Sequence, residues 1–274
     1  MELEFTKMHS TGNDFMIVRW PEGVDLPDGN VIRGWADRCR GVGFDQLLVL
    51  GTSEKAELAA FYRVFNADGL EVEQCGNGAR CVARYLIGDE ESATLTLGSL
   101  AGNVEARIQP NGDVTVNLGE PDYDPRTVPL RATSESGRYQ LDLENGGVEF
   151  GAVSIGNPHA VIRVDSVDIA PVGILGSELQ NHSLFPEGVN VGFLEVRDEA
   201  HVRLRVLERG AGETQSCGTG AAAAVAVGRL WGLVGDHVQV ELTGGTLIVK
   251  WLGPGHSLWL SGPAIRVFDG RIEL

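Results

Sequence analysis

Residues 72–86 read VEQCGNGARCVARYL, and residues 214–228 read TQSCGTGAAAAVAVG. In each stretch a cysteine, Cys75 or Cys217, directly precedes Gly-x-Gly and a run of small and apolar residues at helical spacing. An offset of 142 residues lays residues 62–79 over residues 204–221. Arg63 then falls on Arg205, Val64 on Val206, Glu71 on Glu213, and Gly76 and Gly78 on Gly218 and Gly220. At a similar offset TGNDF (11–15) lies over IGNPH (155–159), which matches Gly12-Asn13 with Gly156-Asn157. Several motifs repeated in one order indicate a duplicated chain, with a period far too long for a solenoid. One half is expected over 1–118 and the other over 119–264, with a last strand, 265–274, returning to the first half.

Around these stretches the pattern is mostly strand. NVEARIQP, DVTVNLG, AVIRVD, HVRLRVLE, HVQVELTGGTLIVKWL and SLWLSG alternate apolar and polar residues and end in turn formers. ELTGGTLIV reads as a hairpin with Gly244-Gly245 at the turn. The strongest helix is 220–231, apolar nearly all round and therefore expected to be buried. The fold class is α/β (α+β): two pseudo-symmetric halves, each a mostly antiparallel sheet wrapped around a central apolar helix, with a cleft between them.

Composition narrows the function. The 274 residues are 43% hydrophobic and 22% charged, which is globular. A net charge of −16 leaves no basic patch for phosphates, so nucleic acid and anionic membranes are disfavoured. Lysine occurs only at Lys7, Lys55 and Lys250. The N-terminus, MELEFTK, has no signal-peptide pattern. The apolar runs fall short of the roughly 20 residues of a membrane helix. Cys39, Cys75, Cys81 and Cys217 lack metal-pair spacing and read as cytoplasmic thiols. Cys39 and Cys81 are expected to be small buried hydrophobes.

Cys75 and Cys217 stand at helix mouths, where unpaired N–H groups point outward and favour negative charge. Thiols there can be acidified, and the same N–H groups can hold a carboxylate. Two matched thiols suit a reaction with mirror-image faces: a thiolate removes a proton from one side of a carbon and a thiol returns one to the other. Charge that builds on a neighbouring carboxylate is met by the fixed donors. No phosphate loop, metal spacing or lysine-centred cofactor motif is evident, so the simplest mechanism uses no cofactor and no metal.

The blocks KMHSTGNDF, GVGFDQLLVL, FNADGLEVEQCGNGARC, IGNPHAVI, FPEGVNVGFLEV and LRVLERGAGETQSCGTGAAAAVAVG span almost the whole chain. In content and order they resemble the diaminopimelate epimerase family. The resemblance implies cofactor-independent interconversion of LL- and meso-2,6-diaminopimelate, on the route to lysine and peptidoglycan, by a cytoplasmic homodimer. It implies that Cys75 and Cys217 are the acid/base pair. Asn13, Gln46, Asn66, Asn157, Asn190, Glu208 and Arg209 match the substrate-holding set, and Gly76-Asn77 and Gly218-Thr219 the carboxylate cradle. His159 and Glu208 match residues that tune the thiols. The chain departs from the family's usual pattern at STGND, Ala160 and Ala222, all small-for-small changes. Proline racemase and hydroxyproline epimerase share the two-cysteine logic and form the nearest alternative. A thiol redox sensor without turnover is the alternative from another class.

Overall fold

The computed structural model describes residues 1–52, 55–73, 75–134, 137–143 and 146–274. The chain forms two compact units: one of Met1–Asn117 with Ser261–Leu274, the other of Leu118–Leu260. The first contains β1 (Glu2–Ser10), β2 (Asn13–Arg19), α1 (Gly29–Ala36), β3 (Gln46–Gly51), β4 (Ala60–Asn66), β5 (Glu71–Val72), α2 (Gly76–Ile87), β6 (Ala93–Ser99), β7 (Gly102–Ile108) and β8 (Val114–Asn117). The second contains β9 (Arg138–Leu143), β10 (Gly146–Ser154), β11 (Pro158–Val164), α3 (Val172–Gln180), β12 (Asn190–Val196), β13 (His201–Glu208), β14 (Gly212–Thr214), α4 (Gly218–Leu230), β15 (His237–Leu242) and β16 (Gly245–Lys250). β17 (Trp259–Gly262) follows, and β18 (Ile265–Glu273) lies antiparallel to β1, Glu2 opposite Glu273.

The repeat in the sequence is a repeat in topology. In the first unit β1 and β2 are antiparallel, β2 runs parallel to β3, β3 and β4 are antiparallel, and β4 runs parallel to β6. In the second unit β10 and β11 are antiparallel, β11 runs parallel to β12, β12 and β13 are antiparallel, and β13 runs parallel to β15. Each sheet is thus mostly antiparallel with two parallel pairs.

Both faces of the central strands are covered, which is why they read as continuous apolar runs. In the first unit Met16, Val18, Leu47 and Val49 pack with Ile32 and Trp35 of α1. The alternate residues Phe15, Ile17 and Leu48 are fully buried on the other face, and α2 packs against β1, β2, β6, β7 and β8. In the second unit Ala160, Ile162, Val191 and Phe193 pack with Val172 and Leu179 of α3. There α4 packs against β10, β11, β12, β13 and β16, with every residue from Gly218 to Gly228 buried. Each buried valine in such a helix is worth about 1.5–3 kcal/mol of transfer free energy.

Three expectations need correction. The hairpin turn is Thr243-Gly244, because Leu242 pairs with Gly245 and puts that glycine in the strand. The helix after Cys217 begins at Gly218, since the cysteine itself is the N-cap. Cys39 is exposed rather than buried: it follows the end of α1 in a turn where Asp37 accepts its backbone N–H. Among the described residues no helix is long and apolar enough to cross a membrane.

Candidate active site

Each unit carries one candidate half-site, built from matching pieces. In the first unit β4 and β5 form a short hairpin that delivers the chain to Cys75. Arg63 and Glu71 brace it, with Nε to Oε1 and Nη2 to Oε2 both at 2.5 Å. In the second unit Arg205 and Glu213 brace the β13–β14 hairpin at 2.6 and 2.9 Å. The duplicated Arg–Glu pair is therefore a repeated structural clip on the approach to each cysteine.

Cys75 is the N-cap of α2, with φ −141° and ψ 113°, and its sulfur accepts the Gly78 N–H at 3.3 Å. Cys217 caps α4 with φ −117° and ψ 108°. A Cβ on Gly78 would lie 3.1 Å from Leu48 and 3.4 Å from Cys75 Cβ. One on Gly220 would lie 3.2 Å from the Cys217 sulfur. The second glycine of each motif leaves room for the helix mouth to close on its sulfur. The asparagine that opens β2 follows Gly12 at φ 86°, and the asparagine before β11 follows Gly156 at φ 80°, left-handed turns that glycine adopts without strain.

In the first half-site Asn13 Oδ1 accepts from Asn77 Nδ2 at 3.1 Å and lies 3.9 Å from the Cys75 sulfur. Asp45 fixes the amide by accepting from Asn13 Nδ2 at 3.0 Å. Gln46 and Asn66 face each other across β3 and β4, with Gln46 Nε2 donating to Asn66 Oδ1 at 2.9 Å. Gln46 Oε1 is buried with no hydrogen-bond partner among the described residues, a vacant acceptor suited to an ammonium group. Behind Asn13, Asp14 is held ionised. Burial opposes its charge, but hydrogen bonds from Arg38 and Lys7 outweigh that and bring its pKa to about 2.

In the second half-site Asn157 Nδ2 donates to Thr219 Oγ1 at 3.3 Å, and Thr219 Oγ1 lies 3.7 Å from the Cys217 sulfur. His159 Nε2 lies 3.0 Å from Asn157 Oδ1. Burial, reinforced by the Arg209 cation, pulls the His159 pKa down to about 3, so the imidazole is neutral. A neutral ring beside a carbonyl oxygen carries its proton on Nε2. Asn190 bridges two strands: its Nδ2 donates to Pro158 O at 2.9 Å and its Oδ1 accepts the Arg209 N–H at 2.9 Å. Arg209 is exposed and gives Nη1 to Glu187 O at 2.9 Å. Glu208 accepts from Thr214 Oγ1 and lies beside Cys217.

The two sulfurs are not in equivalent surroundings. Cys217 is 4% exposed, and burial, followed by the Glu208 carboxylate, pushes its pKa well above the ordinary thiol value. That reverses, for this cysteine, the acidification expected at a helix mouth: burial and a like charge outweigh the exposed N–H groups. Cys75 is only partly buried. Every candidate in the first unit (Asn13, Gln46, Asn66, Cys75, Gly76, Asn77) lies at the start of β2, β3 or α2 or the end of β4. Those of the second unit lie at or just before the starts of β11, β12 and α4 and at the end of β13. Asp45 and Thr214, which orient Asn13 and Glu208, were not singled out from sequence. Asp45 was legible as the neighbour of Gln46 in GFDQ, whereas the Thr214 contact is tertiary.

A profile of the family described as diaminopimelate epimerase matches residues 5–123 and 151–267. The chain belongs to the diaminopimelate epimerase family. It is 47% identical to the diaminopimelate epimerase of Ectopseudomonas mendocina, over 276 aligned residues covering 100% of both chains. It is 46% identical to that of Stutzerimonas stutzeri, again over 100% of both. Among solved structures, a hydroxyproline epimerase from Agrobacterium vitis superimposes with TM-score 0.73 at 18% identity, covering 99% of this chain and 92% of that one. A phenazine biosynthesis protein from Bacillus anthracis superimposes with TM-score 0.68 at 19% identity over 100% of both. These likenesses carry the fold alone: the mixed α/β architecture read from the sequence is that of this wider group.

Proposed function

We propose that this member of the family is a cofactor-independent epimerase that interconverts LL- and meso-2,6-diaminopimelate. The observation that carries the reading is the same cysteine-capped helix mouth built twice, in a chain that matches diaminopimelate epimerases over its full length. One sulfur removes the α-proton as a thiolate, and the other delivers a proton to the opposite face as a thiol. The helix-mouth N–H groups of Gly76-Asn77 and Gly218-Thr219 take the charge that develops on the adjoining carboxylate. Asn13, Gln46, Asn66, Asn157 and Asn190 supply amide donors and acceptors for a ligand with two ammonium and two carboxylate groups. The exposed guanidinium of Arg209 grips a carboxylate and Glu208 accepts from an ammonium. His159, neutral and fixed by Asn157, keeps positive charge away from the second thiol.

The protein acts in the cytoplasm as a homodimer on the lysine and peptidoglycan route. Support for self-association comes from Ile265, Val267 and Phe268, which are exposed on β18. An epimerisation assay with LL-diaminopimelate and with L-proline tests the substrate. Turnover of diaminopimelate alone is expected, and turnover of proline alone would overturn the reading in favour of a proline racemase. Ligand binding without α-proton exchange would mark a sensor instead.

A further inference from the structure

Arg80 stands on α2 five residues beyond Cys75 and is 0% exposed. Its Nη2 donates to Ser10 Oγ at 2.7 Å and to Asn77 Oδ1 at 2.6 Å. Its Nε and Nη1 are buried without a hydrogen-bond partner among the described residues, and no carboxylate there pairs with it. A buried cation left this way is costly unless some nearby group supplies negative potential. Burial lowers the Arg80 pKa to about 10, opposed by Cys81, Cys75 and Asp113 in that order. The guanidinium therefore stays charged at neutral pH.

The neighbours narrow what can balance it. Cys81 is fully buried, and burial drives its pKa far up, so it stays a neutral thiol. Tyr62, the other buried group that senses Cys75, is likewise driven up by burial and stays a neutral phenol. Asp113 lies in the turn before β8, tied to Asn111 at 2.8 Å rather than to Arg80. Among the described neighbours Cys75 remains: its sulfur accepts the Gly78 N–H at 3.3 Å at the mouth of the helix that carries Arg80. A side chain on a helix leans back toward the N-terminus, which aims the Arg80 cation at the helix mouth. At the matching position of the second unit, 142 residues on, stands Ala222. There the charged neighbour of the cysteine is the Glu208 carboxylate, of opposite sign.

We propose that Arg80 is a positioning residue for epimerisation: its buried guanidinium, paired with no carboxylate among the described residues, holds Cys75 as a thiolate, so that the substrate-free protein keeps Cys75 as base and Cys217 as acid. This rests on the reading of the two cysteines as the acid/base pair. The Arg80–Asn77 bond also fixes the cradle residue Asn77, so one side chain sets both the charge and the geometry of the first half-site.

The test is peptide-resolved alkylation of the full chain by iodoacetamide as a function of pH. Cys75 in the native protein is expected to reach half its maximal rate below about pH 8.5, the value of an unperturbed thiol. Arg80→Gln should lower its rate at pH 7 about tenfold or more, and Arg80→Lys should restore most of it. A merely structural arginine leaves this profile in place while stability falls. An unchanged profile in Arg80→Gln, or a native Cys75 that reacts like an ordinary thiol, overturns the proposal. If Arg80→Gln does not fold, the native and Arg80→Lys profiles decide it alone. The readout needs no turnover, so it stands or falls apart from the substrate assignment.

Discussion

The two half-sites share a backbone and differ in charge. Both begin with a glycine at positive φ before an asparagine, both use an Arg–Glu clip on a hairpin, and both end in a cysteine N-cap. Yet Cys75 has a buried cation in its helix, and Cys217 has a carboxylate at its side. Duplication supplies two equivalent scaffolds, and on the proposed reading a few side chains then make one sulfur a base and the other an acid. A reaction that inverts a carbon needs that difference, because two thiolates have no acid and two thiols have no base.

The comparison breaks most directly at the sulfurs. Cys75→Ala and Cys217→Ala should each lower epimerisation by at least about two to four orders of magnitude with the circular dichroism spectrum unchanged. Near-normal rates in either one would end the two-thiol scheme. Arg209→Ala should raise KM by about tenfold or more, the expected loss of one charge-assisted carboxylate contact, and unchanged kinetics would return Arg209 to the solvent. Glu208→Gln should bring the onset of Cys217 alkylation to lower pH. Burial, the larger cause, remains, so the thiol should still react later than an ordinary one. An onset that does not move would remove Glu208 from the environment of that sulfur.

Acid stability sharpens the second half-site. His159 has its folded pKa depressed from 6.5 to about 3, so the unfolded chain binds the extra proton first. Its contribution to stability is therefore full above about pH 6.5 and is lost as pH falls toward 3. The difference in Tm between the native chain and His159→Gln should shrink over that window, and a constant difference would contradict the buried neutral imidazole. The smallest effect is expected at the clips. Arg63 and Arg205 are partly exposed, so Arg→Ala at either should cost no more than about 1 kcal/mol. Chemical denaturation measures this, and a larger loss would mean that the clip holds more than its hairpin.

Much of this was legible before any coordinates. The internal repeat was readable because Arg63/Arg205, Glu71/Glu213 and the Cys-Gly-x-Gly motifs all serve local structure, and local structure leaves fixed spacings. The strand HVRLRVLE is β13 residue for residue, since its alternation matches the pleat. α1 and α3 left weaker traces: they are 8 and 9 residues long and interrupted by Gly34, Gly173 and Gly176, so propensity says little. The upward shift of the Cys217 thiol was hidden for a different reason. The helix mouth is written in adjacent residues, but the Glu208 carboxylate and the burial that dominate are tertiary. Arg80 was hidden likewise, because an arginine on a helix usually reads as solvated and only the fold reveals it as fully buried.

The central claim is that thiols of opposite protonation state act on the two faces of one α-carbon. Proton NMR of LL-diaminopimelate turned over in deuterated water tests it most directly. At early times the meso product should carry deuterium at the inverted carbon while the remaining LL pool keeps its protium. A meso product that retains the substrate's own hydrogen would mean a single group carries the proton across, and would contradict the account.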